Sequence, residues 1–344
     1  MVAIVRVQNL THHYGAVRAV EDLSFQVEEG EVLGLIGPRG AGKTSVLRIL
    51  ATLLRPTAGE AWIGDYSVLT DTRGVRRMIG YVPDSSGVYK GMKTGEYLDF
   101  FAACYDIPRR KRMDTVEGLL QQVNLTHQRG ERVDRLTQEA KQRLGLARAL
   151  VHDPDVLILD ELVSGLGAQA RADIGALLHT LRAMGKTILL SAPTLRELGE
   201  VCSEIGVMAA GHMAAWGTPA EIEEAARRHR ETRHIRVRLA GTADEAMSVL
   251  RGMPNVMAVT PADQQAQASL KEEKKGAVLS ERQRSLPPPG NRTSEILVAF
   301  SGSDLEQTAI LTRLLQAGLP VVGYQEVKPP TEDVLMNVTR GSAQ

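Results

Sequence analysis

The segment 37–45 carries the residues best suited to chemistry, and it reads Gly-Pro-Arg-Gly-Ala-Gly-Lys-Thr-Ser. Its glycines let the backbone turn so that successive N–H groups point inward at phosphate oxygens. Lys43 can reach the β- and γ-phosphates of a nucleotide, and the Thr44 hydroxyl can ligate Mg²⁺. The segment therefore predicts a nucleoside triphosphate site, whose binding residues are Gly37, Gly40, Ala41, Gly42, Lys43, Thr44 and Ser45.

Two carboxylates end an apolar run further along the chain. Residues 156–159 have the continuous apolar character of a strand buried on both faces in a parallel sheet, and Asp160 and Glu161 follow directly. Asp160 can hold Mg²⁺, usually through water, so Thr44 and Asp160 are the candidate metal ligands. Glu161 can polarise a water that attacks the γ-phosphate, which makes Glu161 and Lys43 the candidate catalytic residues.

Apolar strands and helices must hold these groups in place. Residues 31–36 form an apolar strand that leads into the phosphate loop, and residues 45–50 have the period of a helix that leads out of it. The N-terminus of that helix then faces the phosphates. Residues 1–30 alternate as edge strands of a small antiparallel sheet do, and residues 93–126 are mainly helical. Strands alternate with helices up to Gly217, which predicts an α/β fold.

A different pattern follows, and a chain of 344 residues suggests two domains. Residues 234–324 give the order β-α-β-β-α-β, which is the ferredoxin-like plan of a small α+β domain. Between its central strands, residues 261–294 are polar and predict a flexible insertion. We therefore expect a nucleotide-binding domain at 1–222 and a ferredoxin-like domain at 223–344.

Composition narrows the class of partner. Lys plus Arg and Asp plus Glu both number 41, so no basic excess points to a nucleic-acid partner. Cys104 and Cys202 each lie in an apolar helical stretch, and we predict them to be small core residues of a reduced cytosolic protein. The sequence has no signal-peptide pattern and no uninterrupted apolar stretch of about 18 residues, so any membrane span is expected in another chain.

Several segments, taken in order, resemble the ATP-binding subunit of ABC transporters: Tyr14, 37–44, 136–140, 141–150, 159–161 and 164–166. Residues 142–154 and the ending at 329–341 are similar to the branch that serves drug and polysaccharide exporters. The resemblance implies a P-loop NTPase domain of the ABC type, with an antiparallel β subdomain and a helical subdomain, ahead of the C-terminal domain. It also implies that ATP and Mg²⁺ are bound, with Tyr14 stacked on adenine.

The resemblance further implies a location and partners. Such a subunit is cytoplasmic and lies on the inner face of the cell membrane through a separate transmembrane permease. It pairs as a homodimer, or as a heterodimer with another ATP-binding subunit. Residues 87–101 are expected to line the groove where the permease docks.

Four motifs depart from the family pattern. Asp84 stands where the family has a glutamine that touches Mg²⁺ and the attacking water, and its carboxylate can still sit near the metal. In the signature motif Thr137 keeps a hydroxyl, but Glu139 replaces a glycine and brings a like charge towards the γ-phosphate held by the facing subunit. Gly167 replaces an aspartate that communicates between the two sites. Pro193 replaces a histidine that contacts the γ-phosphate, and proline has no donor.

The retained residues hold nucleotide and metal, whereas the lost ones read the γ-phosphate or complete the site of the partner. Removing one hydrogen-bond donor to the transition state lowers the rate about 10²–10³-fold. We therefore hypothesise that the chain binds ATP and hydrolyses it poorly. The opposing hypothesis is an ordinary ATPase that tolerates these changes. The function is then to couple ATP binding, with slow hydrolysis or none, to export through a separate membrane permease. The alternative is a hydrolysis-deficient regulatory partner of a second ABC ATPase subunit. An ABC protein that acts on ribosomes or DNA is disfavoured, because the chain has one such domain, zero net charge and no heptad repeats.

Overall fold

The computed structural model describes residues 3–84, 91–198, 201–261 and 293–327. The chain divides into two compact units, the first ending at Glu223 and the second beginning at Glu224. Both ends of the expected insertion at 261–294 belong to strands, and the rest of it lies outside the described residues.

The elements of the first unit follow the predicted alternation. The described strands are β1 (Ala3–Tyr14), β2 (Val17–Glu28), β3 (Val32–Ile36), β4 (Ala58–Ile63), β5 (Tyr66–Ser67), β6 (Ile79–Val82), β7 (Val156–Leu159), β8 (Thr187–Ala192), β9 (Glu204–Ala209) and β10 (His212–Gly217). The described helices are α1 (Lys43–Leu50), α2 (Thr72–Met78), α3 (Thr94–Cys104), α4 (Arg109–Gln122), α5 (Gln138–Ala149), α6 (Ala168–Ala183), α7 (Leu195–Leu198) and α8 (Pro219–Glu231). Helix α8 crosses the boundary between the units.

The main sheet has the strand order β10-β9-β3-β8-β7-β6. Neighbouring strands in it are parallel, except that β9 and β10 form an antiparallel hairpin. Strands β3, β7 and β8 are buried at every position, as expected for parallel strands that are covered on both faces. The carboxyl ends of these three strands meet at one edge of the sheet. The residues that follow β3, β7 and β8 are therefore brought side by side.

A second sheet is antiparallel and has the order β2-β1-β4-β5. The prediction of edge strands is right for β2 and wrong for β1, because β1 pairs with β4 on its other side and so lies inside the sheet. Val7 and Leu23 of this sheet share one apolar core with Leu47 of α1. The sheet that carries Tyr14 is thereby fixed to the helix that follows the phosphate loop.

The helical part of the first unit is built mainly from α3 and α4, which pack against one another. Two short 3₁₀ turns, Thr126–Gln128 and Val133–Arg135, lead from α4 to α5. The predicted helical stretch is confirmed, and α5 begins at the signature motif.

The second unit is a four-stranded antiparallel sheet with helices. Its described elements are β11 (Thr232–Ala240), α9 (Ala243–Arg251), β12 (Val256–Pro261), β13 (Thr293–Ser301), α10 (Asp304–Gln316) and β14 (Val321–Val327). The strand order is β12-β13-β11-β14 with antiparallel neighbours throughout, which confirms the ferredoxin-like plan. Val237 and Phe300 of the sheet and Leu250 and Ile310 of the helices are completely buried in one core.

The two cysteines differ in burial. Cys202 is buried, and burial raises the pKa of its thiol to about 12. Cys104 is exposed at the end of α3. The prediction of a core residue is therefore wrong for Cys104, since an apolar stretch does not reveal which face of the helix its last turn presents. In the described part of the chain, no helix has the length and apolar character needed to cross a membrane.

Candidate nucleotide-binding site

The phosphate loop joins the end of β3 to the start of α1, as the sequence predicts. Gly42 precedes the helix with φ at 102°, in the left-handed region that favours glycine. A Cβ atom at Gly42 would lie 2.2 Å from the carbonyl oxygen of Ala19, and one at Gly37 would lie 2.2 Å from that of Met208. Because the backbone packs this closely, any larger residue at either position would displace the loop.

A cavity of about 530 Å³ opens over the loop. Residues 39–45 of the loop, Asp84 and Glu161 line it, and Tyr14 stands at its edge with 47% of its surface exposed. The Tyr14 hydroxyl lies 3.4 Å from Oγ of Ser45, and the ring meets His12 edge-on. An exposed aromatic ring beside a phosphate loop is suited to stacking on a base.

Asp160 lies beneath the cavity and is completely buried. Its Oδ1 accepts hydrogen bonds from the hydroxyls of Thr44 at 3.1 Å and Ser191 at 2.7 Å. Its Oδ2 is buried without a hydrogen-bond partner among the described residues. An orphaned carboxylate oxygen next to a threonine hydroxyl fits a Mg²⁺ ion, since hard cations prefer oxygen ligands.

Ser191 is a functional residue that the sequence analysis missed. Its Oγ donates to Asp160 and accepts the backbone N–H of Glu161 at 2.9 Å, so one hydroxyl orients both carboxylates. The side chain is 1% exposed. The available signal was a hydroxyl near the carboxyl end of a buried strand that neighbours the Asp160 strand.

Burial sets the electrostatics of the site. It raises the pKa of Asp160 and of Glu161 above their ordinary values, and the hydrogen bonds from Ser191 and Thr44 partly oppose this for Asp160. It lowers the pKa of Lys43, which the nearby carboxylates partly oppose. The Lys43 ammonium donates to the carbonyl oxygens of Gly37 at 2.7 Å and Pro38 at 3.1 Å. Such buried groups of both signs gain stabilisation when an ion of opposite charge enters.

Asp84 adds a negative charge to this site. It is exposed and lines the cavity, and its charge contributes to the raised pKa of both Asp160 and Glu161. Glu161 itself has φ at 49°, a left-handed conformation that is uncommon for residues other than glycine. We take this conformation as the way in which the chain turns its carboxylate towards the cavity.

The signature residues lie at the start of α5 and do not line this cavity in the described structure. Thr137 caps the helix by accepting the N–H of Ala140 at 3.2 Å. Oε1 of Glu139 accepts from the guanidinium of Arg143 at 2.9 Å, and the same guanidinium contacts Asp173 of α6 at 3.1 Å. The charge that most disturbs the family pattern is therefore paired within its own chain.

Gly167 and Pro193 also lie outside the described cavity lining. Gly167 precedes α6 with an ordinary φ of −63°, and a Cβ there would meet no atom within 4 Å, so a side chain would fit. Pro193 directly follows β8. A contact that the sequence did not reveal ties these segments together, since the Ser164 hydroxyl donates to Oε2 of Glu197 at 3.0 Å.

The groove predicted for the permease is described only in part. Residues 85–90 of the predicted 87–101 segment lie outside the described residues. The remainder forms the approach to α3 and most of that helix, with Phe100 44% exposed.

Comparisons with known proteins identify the family of the chain. The ABC transporter family profile matches residues 20–164. A Nod factor export ATP-binding protein I from Ralstonia nicotianae is 35% identical over 219 residues, which span 64% of this chain and 68% of the relative.

Solved structures share the fold at lower identity. The structure of cbiO1 from Clostridium perfringens, part of the ABC transporter complex cbiONQ, has a TM-score of 0.60 at 23% identity and covers 66% of this chain and 94% of its own. A dimeric post-hydrolysis structure of the ATP-binding cassette MJ0796 with ADP and Pi has a TM-score of 0.58 at 22% identity and covers 62% and 98%. Since the family profile covers the phosphate loop and both carboxylates, and a relative is 35% identical over 68% of its own length, the chain belongs to the ABC transporter family as an ATP-binding subunit.

Proposed function

We propose that this chain binds Mg-ATP and couples the binding to export through a separate membrane permease, with hydrolysis that is slow or absent. The observation that carries the proposal is that Lys43 lines the cavity while Asp160, which has one oxygen without a partner among the described residues, accepts a hydrogen bond from the adjacent Thr44. Lys43 supplies a cation for the phosphates, and Thr44 with Asp160 supplies oxygens for the metal. When bound, Mg²⁺ neutralises charge on the phosphate oxygens.

The role in export is supported by the relative that is named for the export of Nod factors. That name does not fix a substrate for this chain, because specificity in such assemblies belongs to the membrane subunit. We infer that the chain works at the membrane through that subunit, and that it pairs with a second ATP-binding subunit as the MJ0796 cassette pairs with itself.

Impaired turnover is the part of the proposal that the changed motifs support. Glu161 remains beside the cavity as a base for water. Pro193, by contrast, offers no donor at the end of β8, and Glu139 presents a carboxylate where the family has glycine. Loss of several groups that stabilise a developing charge lowers the rate steeply, although such losses are not additive.

The deciding experiment is steady-state Mg-ATP hydrolysis by the purified chain, with Lys43→Ala as the blank and equilibrium binding of ATP measured in parallel. We expect ATP binding that Lys43→Ala removes and a turnover close to that of the mutant. Robust turnover that vanishes in the mutant would refute the impairment and leave a working ATPase.

A second candidate function is a regulatory half of a heterodimer with an intact ATP-binding subunit. Glu139 favours this candidate. In such a heterodimer, the glycine-containing signature motif of the paralogue would complete the site at the phosphate loop of this chain. The phosphate loop of the paralogue would instead face the Glu139 carboxylate. Copurification with such a paralogue supports this candidate, and a stable homodimer on the permease opposes it.

A further inference from the structure

Arg39 belongs to the phosphate loop but is not among the residues expected to bind the nucleotide. It lies between Pro38 and Gly40, is exposed, and lines the same cavity as Lys43 and Glu161. Within the described ranges its side chain makes no hydrogen bond or ion pair. The Lys43 ammonium, by contrast, is engaged by two carbonyl oxygens of the loop. Among the described residues that line the cavity, Arg39 therefore carries a cationic group that is not engaged by other protein groups.

The charge of Arg39 acts on the end of the cavity where the terminal phosphate is expected. Arg39 lines the cavity together with Glu161, the expected base for a water that attacks the terminal phosphate, and it belongs to the same loop as Lys43. Tyr14 is the expected position of the base, and its hydroxyl lies beside Ser45 in the first turn of α1. A nucleotide with its base at Tyr14 thus extends its phosphates towards Glu161 and Arg39.

The site also carries negative charge that the Arg39 guanidinium would offset. Asp84 and Glu161 line the cavity, and Asp160 accepts a hydrogen bond from Thr44 of its lining, so three carboxylates lie around the phosphate loop. Like charges in a partly dry site repel strongly. Pro193 contributes no donor there. A planar guanidinium, in contrast, offers several donors in a geometry that matches phosphate oxygens in a bidentate manner.

From this geometry we propose that Arg39 binds the terminal phosphate of the nucleotide held by its own loop and makes the site selective for triphosphate over diphosphate. The proposal rests on the proposed function, because it requires nucleotide in this cavity. Arg39 would then recognise the terminal phosphate in place of the family histidine, where this chain has Pro193.

The test is the ratio of the dissociation constants for Mg-ADP and Mg-ATP, measured by calorimetry on the full chain. The variants are Arg39→Asn, Arg39→Lys and the control Arg55→Asn, which removes another exposed arginine that lies after α1 and is not among the residues that line the cavity. Loss of a charge-assisted bidentate contact should weaken ATP binding about tenfold or more. ADP binding should change by less than about threefold, Arg39→Lys should recover part of the ratio because it keeps the charge, and Arg55→Asn should leave both constants near wild type.

Each other outcome overturns a defined claim. Equal weakening of ATP and ADP in Arg39→Asn would show general electrostatic attraction and refute the terminal-phosphate contact. An unchanged ratio with unchanged affinities would refute any role of Arg39. Absence of nucleotide binding by the wild type, with no difference from Lys43→Ala, would instead refute the proposed function itself. Melting temperatures of the variants, read alongside, show whether any loss comes from misfolding.

Discussion

The guanidinium of Arg143 lies 2.9 Å from Oε1 of Glu139, one helical turn earlier on α5. Arg143 is 9% exposed in its side chain, whereas Glu139 is 41% exposed, so the carboxylate is held by a buried partner while part of it still faces outward. The same arginine reaches Asp173 on α6. The altered signature is therefore an ordered feature of the fold, and its charge is fixed in place.

Glu139→Gln should strengthen the ATP-dependent self-association of the chain. The substitution removes a like charge from the face expected to meet phosphate, and pairing with Arg143 already reduces that charge, so we expect a gain of about tenfold. Sedimentation with and without Mg-ATP measures it. The matched control is Glu117→Gln, which removes a carboxylate of nearly equal exposure (40%) that pairs with Arg129. The same association for both variants would contradict the role of Glu139.

Ser191→Ala should reduce the contribution of Mg²⁺ to ATP binding. Without the hydroxyl, Oδ1 of Asp160 loses its shorter hydrogen bond and the N–H of Glu161 loses its acceptor. We expect the ratio of ATP affinities with Mg²⁺ and with chelator to fall about tenfold, since hydrogen bonds that orient a metal ligand have effects of this size. Ser203→Ala is the control, because Ser203 also bridges backbone groups of a strand, at the opposite end of β3. A similar fall in Ser203→Ala would mean that the loss is only structural.

Asp160→Asn should raise the melting temperature of the nucleotide-free protein at neutral pH. The pKa of Asp160 is raised chiefly by burial, so its ionised form is the destabilised one and the penalty is complete only above the raised pKa. Relief of about 1 kcal/mol corresponds to about 2–4 °C for a unit of this size.

The pH dependence of that difference has a definite sign. As the pH falls through the raised pKa, wild-type Asp160 binds a proton more readily folded than unfolded, and the gap between the two melting temperatures should narrow. Asp155→Asn, which changes an exposed residue directly before β7, is the control and should shift little. A wild type more stable than Asp160→Asn at every pH would contradict the argument.

The two thiols should react at very different rates with a thiol reagent such as dithionitrobenzoate. Cys104 is exposed and should be modified at once, whereas Cys202 is buried with a pKa raised to about 12 and should react only on unfolding. Cys104→Ser should abolish the fast phase and leave the slow one. Two equivalents of fast reaction in the native protein would show that Cys202 is accessible.

The sequence predicts the parts of the site that are local in the chain. The phosphate loop, Asp160 and Glu161 are each recognised from residues next to one another, and apolar runs predict the strands that hold them. Contacts between distant segments are harder to predict. Ser191 reaches Asp160 across 31 positions, and Arg143 reaches Asp173 across 30.

Other errors have the same origin. The sequence predicts Cys104 in the core, because helical character does not identify the face that a terminal residue presents. It predicts β1 at an edge, because alternation of apolar residues does not tell how many neighbours a strand has. Both properties depend on the packing of other elements.

The hydrogen bonds from Lys43 to the carbonyls of Gly37 and Pro38 have a consequence for the kinetics of the loop. These two hydrogen bonds fold the phosphate loop around the Lys43 ammonium, so the loop is preorganised. An incoming nucleotide then replaces existing contacts of the loop and does not have to order a disordered segment. The entropic cost of ordering is then small, and association should be limited by diffusion and by release of the lysine. The phosphate loop is thus ordered before the nucleotide binds.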